Sequence, residues 1–445
     1  MTPLLAALVL AASPPLVRFE RYELPNGLTV ILTQDKRLPT VGVNLWYHVG
    51  AAHETPGRSG FAHLFEHLMF QGSKHRPGNE QDLFGLYEAA GASDVNASTA
   101  YDRTNYFVTL PANRLELALW ESSEQMAFLL DGLDQTKLDT QRDVVRNERR
   151  QSIENAPYGK AEVRMAELLF PKPHPYYGAV IGSHEDLQAA TLDDVRAFFR
   201  TFYVPNNATL VIAGDFDPPQ AKALVEKYFG PIPRGAPVPE PAIITQPITA
   251  QKRETLTDDV QLSRIFLGVI GPSAWSDEAF AFDILEEVLA GGKTSRLYRS
   301  LVYDKQLAQE VDMVVDRSTY GSPVEIHVTV KPGHLPAEAE ALLNSEVEAS
   351  QRTPPTAAEL QRAQHNVEAR LYRSLERLNG HGSRADLLNA FQLWRKDPGF
   401  INQLVDRWRA VTARAVQDSA RKYLGVEQRV MLTVNPTARS ASAAQ

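Results

Sequence analysis

One apolar helix pattern ending in glycine is written twice in this chain, and that repeat sets its plan. FAHLFEHLMFQG (61–72) and AFDILEEVLAGG (281–292) end in Gly72 and Gly292, 220 residues apart. Gln141 and Glu148, inside one long helical pattern, return as Gln361 and Glu368. A helix at Val195–Tyr203 followed by a strand at Ala208–Ala213 returns as Val416–Leu424 and Gln428–Val434. The common order and similar offset indicate duplication of a unit of about 210–220 residues. The 445 residues therefore read as two homologous domains, where length alone suggests about three. Each copy is long enough to bury its own core.

In the first copy, strands are expected at Val17–Leu24 and Leu28–Gln34, flanking the Pro25-Asn26-Gly27 turn. Further strands are expected at Val41–Val49, Ser93–Thr99, Thr104–Leu110 and Ala208–Ala213. Helices are expected near 60–70, 79–90, 113–130, 138–154, 160–170, 192–202 and 218–229. Runs of strands alternate with runs of helices. That pattern predicts an α+β fold, with a mostly antiparallel sheet and helices packed on one face in each domain. Residues 230–252 are proline-rich and aperiodic, which predicts a semi-rigid linker. The expected domains are 16–229 and 253–445. Residues 1–15 stand apart, because Leu4–Ala12 has the length of an export-signal core and is too short to span a bilayer. The expected location is periplasmic or exported, with cytoplasmic as the alternative. No other segment is apolar enough to cross a membrane.

Composition narrows the chemistry. With no cysteine, a disulfide scaffold, a thiolate zinc site, an iron–sulfur cluster and a cysteine nucleophile are excluded. Lys plus Arg is 46 and Asp plus Glu is 54, a net charge of −8 without a basic block. Nucleic acid is therefore not an expected partner. Any metal site must use His, Asp or Glu.

His63-Leu64-Phe65-Glu66-His67 supplies such a site. Positions i, i+3 and i+4 share one helix face, so both imidazoles and the carboxylate project together. Phe61, Leu64, Phe65 and Leu68 occupy the other face and predict a largely buried helix. Three ionisable groups there need a compensating partner, and a divalent cation is one. Zinc suits the ligand set. H-x-x-E-H is the inverzincin pattern, the reverse of H-E-x-x-H. A catalytic zinc needs a third protein ligand, and spacing leaves His53, His75, Glu88, Asp94, Asp102, Glu148 and Glu154 open. Glu148 has one argument of its own: Val144 and Val145 lie one turn earlier, which favours an inward face.

Across about Phe19 to Asn435 the sequence resembles the pitrilysin/insulinase family of zinc peptidases, in the bacterial branch akin to mitochondrial processing peptidase. The resemblance rests on LPNGLTVIL (24–32), HLFEHLMFQGS (63–73), GASDVNASTAYDRTNYF (91–107), DVVRNERRQSIEN (143–155), FYVPNNATLVIAGDFD (202–217) and LAGGKTSRLYRSL (289–301). It implies Glu148 as third ligand to one zinc per chain and Glu66 as general base. It implies peptide substrates, pairing with the edge strand Ser93–Thr99 at Asn96 and Ala97. It also implies two similar domains forming half of a clamshell. Two departures stand out. Gln141 occupies a place that is often acidic, leaving a side chain suited to hydrogen-bonding a metal ligand. Val302 and Gln309 stand where an Arg and a Tyr help hold substrate and oxyanion in complete members. The expectation is a zinc-bearing subunit whose homologous partner supplies the Arg/Tyr pair. A non-catalytic scaffold with a structural zinc is the rival. Gly292-Lys293-Thr294 is not a phosphate loop, because Glu287 stands where that pattern needs Gly.

Overall fold

The structure is a computed structural model and describes residues 16–437. The export-signal reading at 1–15 lies outside the described residues. Among the described residues eleven strands run β1 Glu20–Glu23, β2 Thr29–Gln34, β3 Thr40–Tyr47, β4 Ser93–Thr99, β5 Thr104–Pro111, β6 Ala208–Gly214, β7 Lys252–Asp258, β8 Arg264–Gly271, β9 Ala308–Val315, β10 Ser322–Val330 and β11 Val430–Pro436. The first half carries helices α1 Phe61–Leu68, α2 Glu80–Ala89, α3 Leu115–Gly132, α4 Gln135–Arg149, α5 Gly159–Leu169, α6 His184–Ala189, α7 Leu192–Phe202 and α8 Pro218–Phe229. The second carries α9 Ala279–Ala290, α10 Pro336–Arg352, α11 Ala357–Glu376, α12 Arg384–Arg395, α13 Leu404–Arg409 and α14 Ala413–Tyr423.

Two mixed, mostly antiparallel sheets result. The first has the order β1-β2-β6-β3-β5-β4, and the second β7-β11-β8-β10-β9. The repeat is visible in this order. In each sheet one strand pair is parallel, β2 with β6 and β7 with β11, and the final strand of each half lies inside its sheet. The α+β expectation holds. Strand β7 begins where the linker was expected to end, and residues 230–251 contain neither helix nor strand.

Strand alternation explains what each sheet face meets. Along β6, Leu210 and Ile212 join the core under α1, α3, α7 and α8. Val211 and Ala213 point the other way, into a core shared with Leu388 and Phe391 of α12. On the second sheet, Ile265, Leu267 and Val269 of β8 face its own helices. Phe266 faces Ala161, Met165 and Leu169 of α5. Each sheet thus has its own helices on one face, and the structure adds a helix lent by the other half on the second. This exchange makes the two halves one body. Gly268 permits it, since a β-carbon there would lie 2.3 Å from the Met165 sulfur.

Candidate active site

Helix α1 carries His63, Glu66 and His67. Its apolar face is fully buried, with Phe61, Leu64, Phe65 and Leu68 all at or below 2% exposure. Gly60 precedes it with φ of 86°, and a β-carbon there would lie 2.5 Å from the Ile181 carbonyl oxygen. Gly60 has no side chain to cap the helix. The Glu54 carboxylate does so from outside, accepting from Gly60 N at 2.9 Å and Ala62 N at 2.8 Å.

Helix α4 brings Glu148 across from α1. His67 Nε2 lies 3.2 Å from Glu148 Oε2, and His63 Nε2 lies 3.6 Å from Glu148 Oε1. One ligand atom from each residue falls within 4.8 Å of the others, the single such group of three among the described residues. The backbone widens into a π-helical turn at Arg150–Glu154, which starts two residues after Glu148, a distortion common beside functional sites.

The other third-ligand candidates are engaged elsewhere or lie apart. His53 accepts from Gly50 N, and His75 and Glu124 pair with each other. Glu154 is taken by His184 at 2.6 Å. Asp102 accepts from the Tyr176 hydroxyl and from Thr319 N. Glu88 and Asp94 are exposed, outside the group of three. The helix-face argument for Glu148 needs correction: Val145 is fully buried, but Val144 is 40% exposed, so only one of the two valines marks the inward side. Gln141 is buried, its Oε1 meets no hydrogen-bond partner, and no hydrogen bond joins it to the three ligands.

Glu66 faces the same space. Its Oε2 accepts from the Thr99 hydroxyl at 2.7 Å. Thr99 lies on β4, the free edge of the first sheet. Asn96 is exposed on that strand, its Oδ1 accepting from Ala97 N, while Ala97 is buried against the helices. Sequence reasoning passed over Thr99, although period-two alternation puts it on the same face as Ala97. Val302 packs at the rim of the second core, and Gln309 is exposed on β9.

Charge in the site follows from burial. Burial and the neighbouring His67 push the His63 imidazole down to about 4, which leaves it neutral at pH 7. For His67, burial acts downward, but the hydrogen bond and charge of Glu148 outweigh it and raise its pKa. The His67 hydrogen bond holds Glu148 below the usual carboxylate range. Burial raises Glu66, against the Thr99 hydrogen bond. A neutral imidazole, a second held against a carboxylate, and that ionised carboxylate form a donor set that fits zinc. A carboxylate of raised pKa beside it suits proton transfer.

Known proteins resemble this chain over most of its length. The model of the insulinase family, peptidase family M16, matches residues 29–167, and that of the peptidase M16 inactive domain matches 189–367. Zinc protease PqqE of Helicobacter pylori is 30% identical over 372 residues, 81% of each chain. The zinc protease YmxG of Bacillus subtilis is 23% identical over 95% of this chain and all of its own. A crystal structure of a protease from Helicobacter pylori aligns with a TM-score of 0.88 and 25% identity, over 94% of this chain and 100% of that one. The periplasmic protease PqqL of Escherichia coli aligns with a TM-score of 0.78 and 20% identity, over 98% of this chain but 49% of its own. This chain belongs to the insulinase family, peptidase family M16, a family whose relatives matched here are named zinc proteases.

Proposed function

We propose that this chain is the zinc-bearing subunit of a two-part peptidase acting on peptides or unfolded segments. The observation that carries this is the convergence of His63, His67 and Glu148, with Glu66 fixed beside them against a free strand edge. His63, His67 and Glu148 would hold one zinc ion. When bound, zinc supplies Lewis acidity toward water and the scissile carbonyl. Glu66 takes the proton of the attacking water and passes it to the leaving amine. Strand β4 receives the substrate as an added strand along Asn96 and Ala97. Backbone pairing of that kind favours extended chains and depends weakly on sequence.

Val302 has no guanidinium and Gln309 no phenol hydroxyl, so in this reading a homologous subunit supplies the Arg/Tyr pair. The chain's match to half of PqqL supports a two-part assembly. In this reading 16–229 is the peptidase domain, 230–252 the linker and 253–445 the metal-free domain. Export to the periplasm is the location proposed, supported by the periplasmic PqqL, with the cytoplasm as the alternative. No helix among the described residues is long and apolar enough to cross a membrane.

The rival is a scaffold with a structural zinc. The Thr99 bond to Glu66 favours catalysis, because a structural site needs no oriented base. The deciding experiment mixes the zinc-loaded chain with a co-encoded homologue bearing the Arg/Tyr pair and follows a quenched peptide, with and without chelator. Chelator-sensitive cleavage that needs both chains is expected. Full activity of this chain alone overturns the two-part reading, and zinc binding without cleavage in any mixture overturns the peptidase.

A further inference from the structure

We infer that Asp102 is a positioning residue that fastens the β4–β5 turn to the second half of the chain, and through that turn keeps Thr99 against Glu66. The inference rests on the peptidase reading for one of its readouts only.

The path is short. Thr99 ends β4 and pairs with Thr104, so residues 100–103 form the turn, closed by Ala100 N donating to Arg103 O at 2.9 Å. Asp102 sits in this turn at 6% exposure. Its Oδ2 accepts from Thr319 N at 2.8 Å, in the loop between β9 and β10 of the second half. Its Oδ1 accepts from the Tyr176 hydroxyl at 2.7 Å, which itself accepts from Tyr320 N at 3.1 Å. Thr319 Oγ1 in turn accepts from Trp394 Nε1 on α12 at 3.0 Å.

A second grip acts on the same turn. Arg103 Nη1 donates to Ser98 O at 2.9 Å and to Asn105 Oδ1 at 2.8 Å, and its guanidinium lies 5.1 Å over the Trp46 ring. Trp46 Nε1 donates to Asp386 Oδ1 on α12 at 3.1 Å.

A buried carboxylate with one hydrogen bond directly to the opposite half of the molecule, and a second relayed there through the Tyr176 hydroxyl, has no water to replace a lost partner. Removing it therefore frees the turn rather than re-solvating it. The turn also has bonds within its own half, from Ala51 N to Ala100 O and from Ala52 N to Tyr101 O. These keep the strand in its sheet, so the expected loss is of precision at Thr99 and not of the fold. The second half, much of which lies within the inactive-domain match, would then hold the general base in place.

The test compares Asp102→Ala, Asp102→Asn and the milder Tyr176→Phe with Thr99→Val, Thr99→Ser and the double Asp102→Ala/Thr99→Val. In zinc-loaded Asp102→Ala, amide exchange at residues 96–104 is expected to speed at least tenfold while β2, β3 and β6 keep their protection. Zinc affinity by chelator competition is expected to stay within twofold, since no ligand depends on this turn. In the active mixture, kcat is expected to fall at least tenfold in Asp102→Ala. Thr99→Val lowers kcat at nearly constant KM, and Asp102→Asn and Thr99→Ser recover most of the loss. If Asp102 acts through Thr99, the double variant is no slower than the slower single one. Multiplying losses in the double variant would overturn the inference, as would unchanged exchange at 96–104 in Asp102→Ala and Tyr176→Phe alike. If wild type and Glu66→Gln prove equally inactive, the peptidase reading fails and exchange alone decides the tether.

Discussion

Helix α1 has a counterpart in α9, and the positions of His63, Glu66 and His67 read Asp283, Glu286 and Glu287 there, 220 residues on. Both helices are buried, and each packs against a long helix of its own half, α4 or α11. The second half satisfies its acids from within. Arg317 Nη2 donates to Asp283 Oδ1 at 2.7 Å, and Trp408 Nε1 to Oδ2 at 2.8 Å. Arg370 pairs with Glu287 and lies 3.8 Å from Glu286, and Asn366 Nδ2 donates to Glu287 Oε2 at 3.0 Å. Buried charge needs a partner in either half. The second half uses its own guanidinium groups, and among its described residues no three metal-ligating side chains converge. The first presents two imidazoles and a carboxylate to one another, and the proposed function puts its chemistry in this copy, which leaves a cation to be supplied.

The largest effect expected from this contrast is at Glu66. Glu66→Gln should lower turnover by about 10²–10⁴-fold, the usual worth of a general base, with zinc retained. Glu286→Gln, its counterpart, should leave turnover within about twofold on the same physical argument, since it faces no reacting atom. Peptide cleavage with metal analysis of both variants checks the pair. Comparable losses would break the comparison.

Next is the exchange of metal for arginine. Arg317→Ala leaves Asp283 buried with one remaining donor, and should destabilise the chain by about 3 kcal/mol in urea unfolding. Glu148→Ala should instead abolish tight zinc binding while shifting the metal-free chain by less than about 1 kcal/mol, as for a half-exposed surface carboxylate. A reversal of these two profiles would show that the first site is the structural one.

Histidine sharpens the contrast further. His63 is held neutral, whereas His327 lies between Asp312 and Glu325, each 3.1 Å from one ring nitrogen, with Glu162 also in its field. Burial acts downward on His327, but those two carboxylates raise it to about 9. A folded-state pKa above the unfolded value of 6.5 gives stability that is complete below 6.5 and lost as pH rises through about 9. His327→Gln should therefore cost about 3 kcal/mol at pH 6 and little at pH 10, read as unfolding free energy. A cost that does not vary with pH would refute the charged state.

How much of this was legible depended on the range of the interaction. The face of α1 was readable because Phe61, Leu64, Phe65 and Leu68 recur at helical spacing within one segment. Linear spacing left Glu148 among seven candidates, since its approach to α1 depends on how α4 packs. Ser93–Thr99 was legible as a strand, but the Thr99 bond needs the position of Glu66 as well. The lending of α5 and α12 across the two sheets left no local signal, for a helix with an apolar stripe does not say which sheet it covers. The acidic counterpart in α9 was within reach: it needed only the 220-residue offset applied to each residue of the zinc motif, not to its final glycine alone.

The smallest expected effect concerns how each helix begins. Glu54 caps α1 from a separate turn, with no side chain at Gly60 to share the task, while the residue 220 positions on, Ala274, has no carboxylate to offer α9. The N-cap residue of helix α9 is Glu278, whose side chain makes no capping bond and instead pairs with Lys422 and Tyr423 at the surface. Glu54→Ala removes the acceptor for two backbone N–H groups and should cost about 1–2 kcal/mol. Glu278→Ala should cost less than about 1 kcal/mol, as expected of an exposed ion pair. The two substitutions also differ in their effect on the metal ligands. Loss of the Glu54 cap frees the first turn of α1, where His63 sits, so zinc affinity should fall with stability. Glu278→Ala should leave zinc affinity unchanged. Thermal unfolding with chelator competition on both variants separates these outcomes. If Glu54→Ala loses stability yet binds zinc as tightly as the parent chain, the cap supports the fold without ordering the metal ligands.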